Sequence, residues 1–275
     1  MKAWISVDME GIAGVNHPGP TGAGHARYPA MVELMVGETN AAIEGALAGG
    51  ATEVVVNDSH GSMFNLLPSA LLPAARIIQG QKVWSMVAGA GPDAGVDVAL
   101  FVGYHARAGH PSGTIAHTYS GRPVETRLAG RPTGEYGLNA LVLGGWGVPV
   151  GLVTGDDALA VEVAAWLPWA ERIVVKDAVG NSAAASLHPT VACGLIRAGA
   201  ERAVRRAATG ALSLLTVDPP VVIEVEYALG LHADYAALVP GSTRVGDRGV
   251  RLAFDDTVST YRAFLAANRL AGTAD

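Results

Sequence analysis

Asp8 and Glu10, in Ser6-Val7-Asp8-Met9-Glu10-Gly11, close an apolar run that reads as a β-strand. In extended backbone residues i and i+2 share a face, so the two carboxylates can converge on one cation before Gly11 turns the chain away. Two later strand-like runs end in imidazoles: Thr52–Val56 leads into Asn57-Asp58-Ser59-His60, and Val98–Val102 into Gly103-Tyr104-His105. Ligands of open α/β sheets bind beyond the carboxyl ends of the strands, so Asp8, Glu10, His60 and His105 are expected to meet there. Glu135, which opens a helix, can add a third carboxylate. A nitrogen and oxygen donor set without thiolates makes zinc the first choice over calcium or magnesium. Charge counting favours two ions, with three carboxylates and a bridging hydroxide balancing them. Such a pair, ~3.5–4 Å apart, would hold hydroxide at neutral pH and polarise a carbonyl, which is hydrolytic chemistry.

His110 and His117 share the loop that begins at His105. Either imidazole could pass a proton to an amide leaving group, and spacing does not choose between them. His17, His25, His188 and His232 are expected to be surface or packing residues. Asp156 reads as a helix N-cap, and Asp58 either orients His60 or a neighbour or serves the loop.

Elements of the right type surround these residues. Short β-branched runs alternate with helix-patterned segments, so the expected fold class is α/β: a layered sheet with helices on both faces, the metal site at the carboxyl ends of the strands, and a smaller C-terminal α+β unit. Helices are expected over Pro29–Ala48, from Glu135, from Asp157 to Trp166, over Pro189–Ala208 and over Asp256–Leu270. Strands are expected at Arg76–Ile78, Pro149–Val153, Ile173–Lys176, Val221–Tyr227, Thr243–Val245 and Val250–Phe254, with a hairpin of Val124–Leu128 and Arg131–Thr133 about Ala129-Gly130. The loop from Tyr104 to Gly121 is long for a compact domain, which marks it as functional. Pro219-Pro220 suggests a boundary, dividing a catalytic domain over 1–214 from a smaller unit over roughly 215–275.

Composition excludes several classes. With 275 residues, half of them hydrophobic, the chain can bury a large core. Net charge is −6 and no Lys/Arg run exists, which argues against a nucleic-acid partner. Cys193 is the only cysteine, so no intramolecular disulfide can form and a reducing, cytoplasmic location is expected. No signal peptide is visible, and apolar runs stop well short of the ~20 residues that span a bilayer, so no membrane partner is expected.

The ordered set of Ser6–Gly11, Asn57-Asp58-Ser59-His60, Gly103-Tyr104-His105-Ala106, Gly134-Glu135 with Gly137-Leu138-Asn139-Ala140, and Gly155-Asp156-Asp157 resembles the zinc-dependent D-aminopeptidase family over most of the chain. The resemblance implies a two-zinc peptidase that removes an N-terminal D-residue from short peptides through a metal-bound hydroxide. It also implies a homo-oligomer, a decamer of stacked pentameric rings. By position, Asp8 would bridge the ions, Glu10, His60, His105 and Glu135 would complete the ligands, and His117 would match the catalytic histidine, as proton shuttle or nucleophile. Ala129 stands where the family commonly carries Asn, and Thr133 where it carries an aliphatic residue, so the turn leading to Glu135 is expected to differ. Two other readings compete: a metallophosphoesterase, disfavoured because only Arg107 lies near the ligands in sequence, and a non-catalytic binding or assembly protein whose metals fasten loops.

Overall fold

The computed structural model describes residues 1–274. Its strands are β1 (Lys2–Val7), β2 (Glu53–Asp58), β3 (Ala75–Ile78), β4 (Val98–Val102), β5 (Pro123–Leu128), β6 (Arg131–Pro132), β7 (Val150–Asp156), β8 (Glu171–Gly180), β9 (Ala183–Ser186), β10 (Val221–Tyr227), β11 (Ser242–Val245) and β12 (Gly249–Phe254). The helices are α1 (Tyr28–Ala48), α2 (Glu135–Gly145), α3 (Asp157–Trp166), α4 (Pro189–Ala208), α5 (Gly230–Ala236) and α6 (Thr257–Ala271).

Seven strands form the main sheet in the order β3-β2-β1-β4-β7-β8-β9, with the first six parallel and β9 antiparallel to β8. β1 and β4 are apolar and buried along nearly their whole length because both faces of a parallel sheet are covered by helices. Side chains alternate accordingly. Ala3, Ile5 and Val7 pack with α1 and α4 on one face, whereas Trp4 and Phe101 join α2 and α3 in the core on the other. Pro29 at the start of α1 and Gly49-Gly50 at its end fix the extent of that helix.

The second sheet is antiparallel, in the order β11-β12-β10-β5-β6. β10 buries Val221, Ile223, Val225 and Tyr227 while Glu226 faces solvent, the alternation of a sheet covered on one side. β10 pairs with β5, so the C-terminal residues share a sheet with residues 123–132, inside the stretch expected to form the catalytic domain. Pairing at that sequence separation leaves no local signal. The β5–β6 turn puts Ala129 at φ 48° and Gly130 at φ 76°, the type I′ form that matches strand twist. Alanine thus occupies the left-handed position where a different turn was expected.

Strand β8 runs four residues beyond the expected Lys176, and its hairpin with β9 was not anticipated. The segment is built of small and polar residues that lack a strand-like apolar pattern. No helix among the described residues is long and apolar enough to cross a membrane.

Glu38, on α1, is buried and accepts the Ala13 N–H at 2.8 Å. Burial, only partly offset by that bond and by Lys176, raises its pKa from 4.5 to about 7. Between these values the unfolded chain ionises while the folded protein stays protonated, so this group's contribution to stability falls as pH rises through that window, by about 3 kcal/mol in total. Glu38→Gln removes the term: Tm measured for both proteins at pH 4.5 and pH 8 is expected to show the variant gaining on the wild type at the higher pH.

Candidate metal centre

Strand order places the three histidine- and acid-bearing ends side by side, with β1 between β2 and β4. The Asp8 N–H donates to Val102 O and the Ser59 N–H to Val7 O, both at 2.8 Å, so the loops leave the sheet in register. Two glycines allow the close approach: a Cβ on Gly11 would lie 1.8 Å from Tyr104 O, and one on Gly103 (φ 69°) 2.3 Å from Asp8 O.

Asp8, Glu10, His60, His105 and Glu135 are all buried at this point. The two carboxylate oxygens of Asp8 face different histidines: Oδ1 is 3.2 Å from His60 Nδ1, and Oδ2 is 3.4 Å from His105 Nε2. Glu10 Oε2 lies 3.0 Å from His60 Nδ1, and Glu135 Oε1 lies 3.4 Å from His105 Nε2. Donor atoms of Asp8, Glu10 and His105 fall within 4.8 Å of one another, as do those of His105, His117 and Glu135.

Three buried carboxylates facing two buried imidazoles leave negative charge that must be neutralised. Burial raises the Asp8 pKa, but the imidazoles of His105 and His60 facing its two oxygens outweigh it and hold the carboxyl well below its usual range. Burial opposes charge on His60 and His105 too, yet the facing carboxylates push both imidazoles well above 6.5. Glu135 is lowered against its own burial by His105, His117 and the Tyr119 N–H. His105 Nε2 is buried without a hydrogen-bond partner among the described residues, although two carboxylates face it. An orphaned imidazole nitrogen amid oxygen donors, with no thiolate, fits zinc.

His117 stacks on His105 with ring centroids 4.0 Å apart, and its Nε2 is 3.9 Å from Glu135 Oε1. Its Nδ1 lies 2.8 Å from Ile115 O, a carbonyl that can only accept, so Nδ1 carries hydrogen and Nε2 is the ring nitrogen turned to the site. Ile115 (φ 53°) and Tyr119 (φ 60°) hold left-handed backbone, which is costly for non-glycine residues. Their partners sustain it: Ile115 N–H donates to Asn181 O at 2.7 Å, Thr114 N–H to Asp156 Oδ2 at 2.8 Å, and Tyr119 N–H to Glu135. His110 instead lies 3.9 Å from Glu162 Oε1, outside the cluster.

The remaining expected residues fall elsewhere. Asp156 caps α3 by accepting the Leu159 N–H. Asp58 reaches His60 indirectly, since it accepts from the Asn65 backbone and side chain while Asn65 Nδ2 donates to His60 O. His17, His25 and His188 accept local backbone N–H groups, and His232 is buried beside Tyr227.

Sequence reasoning missed the β8–β9 hairpin as a brace. Lys176 is buried there and donates to the carbonyls of Glu10, Ile12 and Val15, while Asn181 in the hairpin turn holds Ile115. One hairpin therefore supports both the Glu10 loop and the His117 loop. Lys176→Met would orphan three buried carbonyls. Stability is expected to fall by about 2–4 kcal/mol, part of the loss being offset by the desolvation relieved, and urea unfolding would measure it. An unchanged denaturation midpoint would show that the loop holds without the lysine.

Also missed was a buried network under the site. Ser6 Oγ meets Tyr104 OH at 2.8 Å, Asn139 Nδ2 donates to Tyr104 OH at 3.0 Å, and Tyr119 and Tyr261 both donate to Asn139 Oδ1 at 2.7 Å. The site opens into a cleft of about 940 Å³ whose wall includes Lys82, Trp84, Arg262 and Arg269. The expectation that only Arg107 would lie near the ligands is thus corrected: remote segments bring cations into the cleft, while Arg107 pairs with Glu162 at 3.3 Å.

Comparison with known proteins follows the same lines. A family model described as D-aminopeptidase matches residues 1–266. A D-aminopeptidase of Bacillus subtilis (strain 168) is 36% identical over 273 residues, covering 98% of each chain. The solved structure of the Zn-dependent D-aminopeptidase DppA from Bacillus subtilis, described as a self-compartmentalizing protease, has TM-score 0.91 and 35% identity, covering 99% of this chain and 98% of that one.

Proposed function

Because the chain belongs to the D-aminopeptidase family, we propose that it is a zinc-dependent aminopeptidase that removes an N-terminal D-amino acid from short peptides. The observation that carries the reading is the division of Asp8 between two histidines, with a further carboxylate on each side. Asp8, Glu10 and His60 would hold one zinc, and Asp8, His105 and Glu135 the other. A zinc pair supplies Lewis acidity that polarises the scissile carbonyl and makes water nucleophilic at neutral pH.

The protein's own groups do the rest. His117 Nε2, the ring nitrogen turned to the site, takes a proton from the attacking water and delivers it to the departing amine. Shuttling rather than direct attack is the role we propose, and the Nδ1–H bond to the Ile115 carbonyl sets the tautomer that leaves Nε2 to accept the proton. Glu135 beside it stabilises the imidazolium once formed. The left-handed Ile115 and Tyr119 hold that ring in position.

The relative's description as self-compartmentalizing supports a homo-oligomer acting on peptides, and a decamer of stacked pentameric rings is the assembly we propose. A cytoplasmic location accords with the single free cysteine.

The test is hydrolysis of D-alanyl-D-alanine and its L,L counterpart by zinc-loaded, chelated and zinc-restored protein, beside a phosphomonoester. Zinc-dependent cleavage of the D-peptide with no phosphatase activity is expected. Phosphatase activity alone would favour the metallophosphoesterase, and no zinc-dependent activity the non-catalytic protein.

A further inference from the structure

The cleft has opposite charge at its two sides. Its acids are Asp8, Glu10 and Glu135, all within the ligand cluster, whereas Lys82, Arg262 and Arg269 line the wall beyond it. Arg262 favours the ionised Asp256 carboxylate from beyond ion-pair distance, Arg269 has no carboxylate at ion-pair distance among the described residues, and both are exposed. Arg262 lies over the Trp84 ring with its guanidinium carbon 5.3 Å from the centroid, which steadies it against the cleft wall. Lys82 is fixed by its bond to Asp58 O.

Arg262 and Arg269 are seven residues apart on α6, so they share a face about 10 Å along the helix. Extended peptide advances about 3.3–3.6 Å per residue, so this wall spans the length of a few residues. Tyr261, beside Arg262, donates to the same Asn139 Oδ1 as Tyr119, which ties the start of the wall to the backbone that contacts Glu135. Once cations balance the acids at the ligand end, the remaining lining is positive. An aminopeptidase substrate places its free amine and first carbonyl at the metals and its terminal carboxylate farther along.

Resting on the peptidase reading, we propose that Arg262 and Arg269 recognise the terminal carboxylate of short peptides, so that the enzyme selects free peptide acids over amidated or internal sequences. Planar guanidinium groups suit this role through bidentate bonds to carboxylate.

The experiment compares kcat/KM for D-alanyl-D-alanine and D-alanyl-D-alaninamide on zinc-loaded wild type, on Arg262→Gln and on the Arg262→Gln, Arg269→Gln double variant. The wild type is expected to prefer the acid by about tenfold to a hundredfold, chiefly through KM, the range of a charge-assisted bond. That preference is expected to shrink in the single variant and approach one in the double variant. The KM for the acid should also rise with salt more steeply than that for the amide. Equal use of acid and amide by the wild type, or an undiminished preference in the double variant, would overturn the inference and leave the peptidase reading intact. Cleavage of neither substrate would overturn the peptidase reading, and the inference with it.

Discussion

Asp8→Asn is expected to lower kcat by at least about 10³-fold and to deplete both bound zinc ions, because this one carboxylate faces both histidines. An amide keeps the shape but loses the negative charge and turns an NH₂ donor toward one cation position. Glu10 makes its ion-pair contact on the His60 side and Glu135 on the His105 side, so loss of either should weaken one side more than the other. The shared position is therefore the most sensitive of the acids. Zinc stoichiometry by elemental analysis, with circular dichroism to verify folding, checks the result. A folded Asn variant that keeps two zinc ions and wild-type kcat would contradict it.

His117→Gln is expected to lower kcat by about 10²–10⁴-fold while zinc content stays at the wild-type level. The variant should also lose the limb of the pH–rate profile that reports the shuttle. Donor atoms of His117 lie within 4.8 Å of those of His105 and Glu135, so a ligand role is the specific competitor. Release of one zinc ion from the variant would establish that competitor. Retention of zinc with a collapsed kcat supports proton transfer.

The strand ends were legible because each combines an apolar run with a polar residue at its close. Asp8, Glu10, His60 and His105 needed only the rule that ligands collect at carboxyl ends, and the order β2-β1-β4 brings them together. The choice between His110 and His117 was not legible from spacing. What places the His117 ring, and not His110, beside the acids is left-handed backbone at Ile115 and the Asn181 carbonyl that holds it, both properties of tertiary contact.

Lys176 gave even less warning. Its carbonyl partners lie 161 to 166 residues away, and a lysine in a strand pattern ordinarily marks a solvent face. The arginines of α6 read equally well as a solvated helix surface until that helix is placed along the cleft. The second sheet was hidden for a related reason: β5 and β10 each carry strand patterns, but nothing local states that they pair.

The most direct test of the binuclear centre is diffraction from zinc-loaded crystals at energies on either side of the zinc absorption edge. Two anomalous peaks flanking Asp8 are expected, one beside Glu10 and His60 and the other beside His105 and Glu135. A single peak, or peaks remote from Asp8, would contradict the account.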